Sequence, residues 1–361
     1  MVNLIKRYIF LKKMRKLLFL NIIILFLCSV IFAEEIFYPG TKYYSVTADI
    51  IETDLIWFGT NKCLLKYDKA SDKWEVIKKD IKDIKVIAIN PLDKDYIWLG
   101  TGDGVIRYKR ADNTVEKIKD KDGILDIQIN AILFDEIKKK YIWFASDFGL
   151  ARFDTETSEW KTYASKEGLT AKKVNSVAQD VSSDNYLLWV GTDEGLFKYS
   201  SLRDFLVKVN PPENFVEIKG INALAVDAAY VLIGSSNYGL IVYHKEKNSW
   251  QLYSRKVNGE NADDHILSIL IDPFEPSSIW FGTRLHGVIQ FDKINNIWQD
   301  FNQDNIIAQS LSIDVKDSVW FAASLCSGGG AFKYIKNENR WLYTDPLVSI
   351  KDKFGLTWQK Y

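Results

Sequence analysis

The chain has 361 residues with 47 basic, 47 acidic and three histidine side chains, and 47% of it is hydrophobic. Those proportions supply a large core and are too polar for a bundle of membrane spans. No basic run with interleaved aromatics occurs, so nucleic acid is not an expected partner.

Residues 1–33 read as an export signal. Lys6, Arg7, Lys12, Lys13, Arg15 and Lys16 precede an apolar run from Leu17 to Phe32, and Ala33 stands before Glu34 and Glu35. A basic segment, an apolar segment and a small residue before a polar start form a secretory signal peptide. Met14 offers an alternative start. The apolar run is also near the lower limit for spanning a bilayer, so an uncleaved anchor is the competing expectation and the one expected route to a membrane. Cys28 follows Leu25-Phe26-Leu27 and lacks the small residue that a lipidation site wants before its cysteine. Cleavage after Ala33 removes six basic residues and no acidic ones, leaving 41 basic against 47 acidic. The expected location is periplasmic or extracellular.

From Ile56 onward one phrase recurs: IWFGTNKCLLKYD, then IWLGTGDGVIRYK, IWFASDFGLARFD and LWVGTDEGLFKYS, then VLIGSSNYGLIVYH, IWFGTRLHGVIQFD and VWFAASLCSGGGAFKY. The anchor residues are Trp57, Trp98, Trp143, Trp189, Leu232, Trp280 and Trp320, at steps of 41, 45, 46, 43, 48 and 40 residues. Such a period, with a strand pair in each unit, predicts a seven-bladed β-propeller, an all-β fold of four-stranded antiparallel blades. The blades are expected at about 43–78, 84–118, 127–164, 174–208, 220–254, 265–301 and 308–344 of a single domain, 34–361, with a tail at 345–361.

Each repeat reads as four strands, a to d. Strand a ends in an acid or amide: Asp49, Asn90, Asp135, Asp180, Asp227, Asp272 and Asp314. A short carboxylate closing the a–b turn accounts for that series. Strand b holds the anchor and strand c a Tyr or Phe. Strand d carries a Trp seven residues later in five repeats, while repeat 2 has Val115 there and repeat 4 shifts to Phe205. Eleven of the 12 tryptophans fall on these positions, which argues for packing first. After the strand-b aromatics comes Gly59, Gly100, Ala145, Gly191, Gly234, Gly282 or Ala322, where small volume is expected to admit the next blade's aromatics. A second glycine, at 104, 149, 195, 239, 287 and 330, is expected to take positive φ in the b–c hairpin; Cys63 replaces it in repeat 1.

The IWFGT-x-x-GL-x-x-YD pattern, the later Trp and the Gly168-Leu169 to Asn175 approach to strand a resemble two-component regulator propeller repeats over residues 43–344. The resemblance implies the propeller fold and a recognition role, since such repeats form the periplasmic sensing part of hybrid sensor kinases. Kinase and DNA-binding regions are absent from this sequence, so signalling activity is not carried over. Asp352 to Tyr361 repeats the d–a signal and then stops, which fits either a tail packed across the seam or a shortened chain.

Function is expected where the b–c and d–a loops emerge. That end collects Asp103, Phe148, Asp193, Glu194, Asn237, Tyr238, Arg284, Leu285 and His286. Beside them, Tyr44, Lys85, Asn130, Asn175, Asn222, Leu267 and Gln309 form a largely polar ring at the channel mouth. Aromatic faces and amides suit a glycan or an envelope or secreted protein, with Asn130, Phe148, Asn175, Asp193, Asn222, Tyr238, His265, Arg284 and His286 as candidate contacts. Solvated turns and amide caps explain the same residues without a ligand. His265 and His286, near Asp263, Asp264 and Arg284, offer an alternative: acid, base and anion clamp of a propeller lyase or hydrolase. A non-catalytic envelope scaffold is the third reading. There is no nucleophile elbow, HExxH or phosphate loop, and GTGDGVI opens a strand rather than a dinucleotide-binding helix. Neither cofactor nor metal is expected, and the protein is expected to be a monomer. Cys63 and Cys326 lie in b–c loops of neighbouring repeats 1 and 7 and are expected to form a disulfide across the seam.

Overall fold

Strand b of every repeat is an uncharged run of aliphatic and aromatic residues, suited to a sheet covered on both faces. In the computed structural model, which describes residues 41–344 apart from 120–125, 183–185, 254, 258–259, 262–264, 302–305, 316–317 and 326–327, that run is the second strand of a four-stranded antiparallel sheet in each repeat. Blade 1 consists of Tyr43–Ala48 (strand a), Leu55–Thr60 (b), Leu64–Asp68 (c) and Lys73–Lys78 (d). Strand a of blades 2 to 7 spans Ile84–Ile89, Ile129–Phe134, Val174–Asp180, Ile221–Val226, Ile266–Ile271 and Ile307–Ile313. Each lies beside strand a of the next blade, and that of blade 7 lies beside that of blade 1, so seven sheets close into a propeller with the a strands innermost. Among the described residues no helix is long and apolar enough to cross a membrane.

The strand-b tryptophans are buried between blades. The strand-d tryptophans sit directly opposite the strand-c aromatics, as with Tyr67 and Trp74 at 4.9 Å between ring centroids. In blade 4 that place belongs to Leu206, fully buried opposite Tyr199, and not to Phe205, which is 38% exposed. The period-2 alternation of a strand puts adjacent residues on opposite faces, so a one-residue shift could not have kept the aromatic inside. The small residue in strand b is also explained differently from expectation. A Cβ on Gly59 would lie 2.6 Å from Ile84 Cγ2, and one on Gly234 would lie 2.5 Å from Ile266 Cγ2. The space is taken by the aliphatic residue opening the next blade's strand a together with the strand-a residue opposite in the same sheet, as Ser45 Oγ does at Gly59, and not by an aromatic.

Gly104, Gly149, Gly195, Gly239 and Gly287 have positive φ, as a tight b–c hairpin requires. Gly330 does not: strands Ser318–Leu325 and Gly328–Ile335 pair two rungs further out, which places Gly330 within the ladder opposite Ala323.

Cys63 is a free, buried thiol with Sγ 3.5 Å from Thr60 Oγ1, in a cluster with Tyr43, Phe58 and Leu65 and, from blade 7, Trp320 and Ala322. Cys326, the other half of the expected disulfide, lies outside the described residues, as do 1–40 and 345–361.

The blades are tied together on the a–b face. The strand-a carboxylate of one blade receives a cation from the c–d turn of the next: Arg110 to Asp49 (2.6 Å), Lys245 to Asp180 (2.8 Å), Lys293 to Asp227 (2.6 Å) and Lys336 to Asp272. Lys69 of blade 1 closes the ring onto Asp314 of blade 7 at 2.9 Å. The other carboxylate oxygen closes the a–b turn as expected, as when Asp49 Oδ1 accepts the Ile51 and Glu52 N–H groups. Burial alone would raise the pKa of Asp49, Asp180, Asp227 and Asp314, but these donors outweigh it and hold all four below the usual carboxylate range.

Candidate functional site

Every strand a contains one unpaired residue. In blade 1 Tyr43 pairs with Thr60 and Ser45 with Gly59, which leaves Tyr44 as a bulge. The same slip leaves out Lys85, Asn130, Asn175, Asn222, Leu267 and Gln309 in the other six blades. A bulge re-aims a side chain that the regular pleat would send into the neighbouring blade. The seven bulged residues, with Gln128, line one cavity of about 310 Å³ at the channel mouth.

The ring is partly committed to holding the blades together. Asn130, Asn175 and Asn222 each donate from Nδ2 to the backbone carbonyl that opens strand a of the next blade: Val174 at 2.8 Å, Ile221 at 2.9 Å and Ile266 at 2.9 Å. Asn130 also donates to Asp147 Oδ1 (2.8 Å) and accepts from Gln128 Nε2 (2.9 Å). Asn222 bonds Ser236 Oγ at 3.0 Å. Between the adjacent blades 1 and 2, Lys85 Nζ lies 3.3 Å from the centroid of the Tyr44 ring. Burial pulls the Lys85 amine below its ordinary pKa; burial first, and then Asp83, pushes the Tyr44 hydroxyl up. The mouth therefore offers amide dipoles, one partly desolvated ammonium on an aromatic face, and the apolar Leu267.

The remaining candidates stand on the rim, outside this cavity. Their turns are fixed by the hydroxyl that ends strand b: Ser146 Oγ accepts the Phe148 N–H (3.2 Å), Ser235 Oγ that of Tyr238 (3.2 Å) and Thr283 Oγ1 that of His286 (3.0 Å). Phe148 is 70% exposed, Asp193 and Arg284 are exposed, and Tyr238 packs against the cluster around Trp189. The Asp193 carbonyl accepts the Gly220 N–H at 3.0 Å, joining the rims of blades 4 and 5. The His265 carbonyl accepts the Arg284 N–H at 3.0 Å, so His265, Arg284 and His286 share the rim of blade 6. Asp263 and Asp264, the acids expected beside them, lie outside the described residues.

Gln128 and the bulges are what sequence reading missed. The available signal was the small residue in strand b, because Gly59 and its equivalents sit directly opposite the residue that follows each bulge.

No protein-family model and no curated protein matches the chain. Solved structures do. The extracellular domain of the putative one component system BT4673 from B. thetaiotaomicron, also described as a hybrid two component system, is 18% identical with a TM-score of 0.65. That match covers 82% of this chain and 39% of the other. The extracellular domain of the putative hybrid two component system BT3049 from B. thetaiotaomicron is 16% identical, with a TM-score of 0.62 over 82% of this chain and 40% of that one. PorZ, an essential bacterial surface component of the type-IX secretion system of Porphyromonas gingivalis, is 13% identical, with a TM-score of 0.60 over 85% and 38%. This chain thus spans about 39% of the length of the structures it resembles. At these identities the shared property is the propeller fold, which agrees with the repeat-level resemblance to two-component regulator propellers.

Proposed function

We propose that the protein is an exported recognition module, related to the two-component regulator propellers, that binds a glycan or an envelope or secreted protein at the channel mouth. The observation that carries this is the set of seven bulges. Each one sacrifices a rung of the inner strand, and all seven side chains converge on the same cavity. Export is supported by the sequence of residues 1–33 and by the extracellular and surface placement of the neighbours named above.

The test is a binding array of glycans and envelope proteins probed with residues 34–361. Hits are retested with Lys85→Ala and Gln309→Ala at the mouth and with Phe148→Ala and Arg284→Ala on the rim. A saturable hit weakened by mouth variants supports the assignment. A hit moved by rim variants alone relocates the site, and the lack of any hit from folded protein favours the scaffold reading. Intact mass of secreted protein checks the export signal: cleavage gives a chain starting at Glu34.

A further inference from the structure

Two blade junctions lack the cation that ties the other five. Between blades 3 and 4, Ser201 stands in its place, and the Tyr186 hydroxyl bonds Asp135 instead. Between blades 2 and 3 both partners are short and uncharged, with Asn90 for the carboxylate and Thr155 for the cation. No long aliphatic stem fills that space, and a cavity of about 540 Å³ opens there, walled by Ile89, Leu92, Ile132, Phe134, Tyr141 and Ile142.

Trp98 supplies an independent sign. In blades 1, 6 and 7 the strand-b indole N–H donates to the strand-a carboxylate, at 2.8, 3.1 and 3.0 Å. Trp98 is 3% exposed and its indole nitrogen has no partner. The position at which its counterparts aim is held by Asn90, on the cavity wall, and Asn90 Oδ1 is occupied by the Leu92 N–H at 2.9 Å. Trp189 is also unpartnered, but the carboxylate of its blade is present and bound by Lys245 and Ser182. A buried donor without an acceptor costs free energy that a ligand can recover.

We propose that the cavity between blades 2 and 3 binds a neutral, mainly apolar small molecule carrying one hydrogen-bond acceptor. Its body takes the space that a Lys or Arg stem fills at the tied junctions, and its acceptor meets the Trp98 N–H. The volume falls within the roughly 300–1,000 Å³ of ligand pockets. Glu136 and Lys139 at the opening oppose each other in charge, and the Asp135 carboxylate is turned to Tyr186 and Gln179, so the single negative charge in excess disfavours an anion while the walls that a ligand body would touch are apolar. This site lies on the a–b face, at the other end of the ring from the mouth.

The probe is prodan, a neutral naphthyl ketone that brightens and shifts to the blue in apolar sites. Wild-type protein is expected to bind it saturably at one site. The double variant Asn90→Asp, Thr155→Lys rebuilds the missing tie and fills the cavity; it should melt no lower than wild type and bind at least tenfold more weakly. Thr155→Met fills the space without charge and should weaken binding in the same direction. Trp98 lies behind the wall, packed against Ala88, Ile132, Phe134 and Ile142, so Trp98→Phe keeps that support and removes the donor, and is expected to weaken binding about three- to tenfold, the range of one hydrogen bond. Lys85→Ala at the mouth should leave prodan binding unchanged. Failure of wild type to bind, undiminished binding by the folded filled variants, or loss on Lys85→Ala would each overturn the proposal.

Discussion

Asp204, the left-handed residue just before strand d of blade 4, gathers donors from two blades. The hydroxyls of Tyr163 and Tyr199 donate to it at 2.7 Å each, Arg152 approaches to 3.4 Å, and Lys161 pairs with its other oxygen. Burial alone would raise its pKa, but Lys161 and the two tyrosines bring it down to about 2. An unfolded aspartate titrates near 3.9. The folded value is lower, so the stabilisation is fully present above about pH 4 and is lost as pH falls towards 2. Asp204→Asn should therefore unfold at lower urea than wild type at pH 6, with the gap narrowing by pH 3. An equal gap at both values would dissociate the carboxylate from the effect. Cys63 gives a second test at this scale. Its thiol is buried and burial pushes its pKa up, so iodoacetamide should leave it unmodified in native protein and label it in urea, as read by peptide mapping. Rapid native labelling would place it at the surface. Sequence alone put Cys63 in the b–c loop, where it lies between Leu55–Thr60 and Leu64–Asp68; its burial was not legible, because it depends on how blade 1 packs against blade 7.

The repeating element is more informative than any single blade. In all seven c–d turns the residue before strand d is left-handed: Asp72, Asn113, Ser158, Asp204, Asn248, Asn296 and Asn339. Wherever strand c ends in Tyr, its hydroxyl donates to that residue, as from Tyr67 to Asp72 at 2.8 Å and from Tyr334 to Asn339 at 2.7 Å. Asx residues tolerate this conformation and accept well, which explains both preferences. The strand-b aromatics, the turn glycines and the strand-d tryptophans were legible because each is a local requirement repeated at fixed spacing. The bulges were not, since a one-residue slip in the pairing of strands a and b leaves the spacing of the repeat unchanged and shows in the ladder instead, as where Tyr43 pairs with Thr60 and Ser45 with Gly59. Nor was the tie between Arg110 and Asp49. Each residue has a sufficient local explanation, and only the ring brings them together. Arg110→Ala would leave Asp49 buried without its cation. Breaking a buried pair from one side costs about 3–5 kcal/mol, so a loss of that order is expected in urea unfolding at neutral pH, shrinking in acid as Asp49 protonates. A loss below about 1 kcal/mol would class the tie with ordinary surface pairs.

At the scale of the molecule, the question is how a ring of separate blades stays shut. All four strands of each blade come from one repeat, so no strand is exchanged between the first blade and the last. The seam is instead closed by side chains reaching backbone. Val46 N–H donates to Ser310 Oγ (3.3 Å), Ala48 N–H to Ser312 Oγ (2.9 Å), and Ser324 Oγ to the Tyr43 carbonyl (3.3 Å). Other junctions use the same device, with Ser45 Oγ donating to the Ile84 carbonyl at 3.1 Å and Asn175 to that of Ile221. The seam is therefore one junction among seven. It differs in one respect: no linker holds its two blades together if it opens. Removing both hydroxyls with Ser310→Ala, Ser312→Ala deletes the bonds from the Val46 and Ala48 N–H groups, of about 0.5–1.5 kcal/mol each, and the longer one from Ser310 Oγ to the Val46 carbonyl at 3.5 Å, so roughly 1–3 kcal/mol should be lost. The location of the effect discriminates more sharply than its size. Hydrogen exchange should accelerate in strands a and b of blades 1 and 7 and stay near wild type in blade 4, because local opening begins where connectivity is weakest. Uniform acceleration around the ring would mean that the propeller opens only as a whole, and that the seam is no weaker than the junctions the chain crosses.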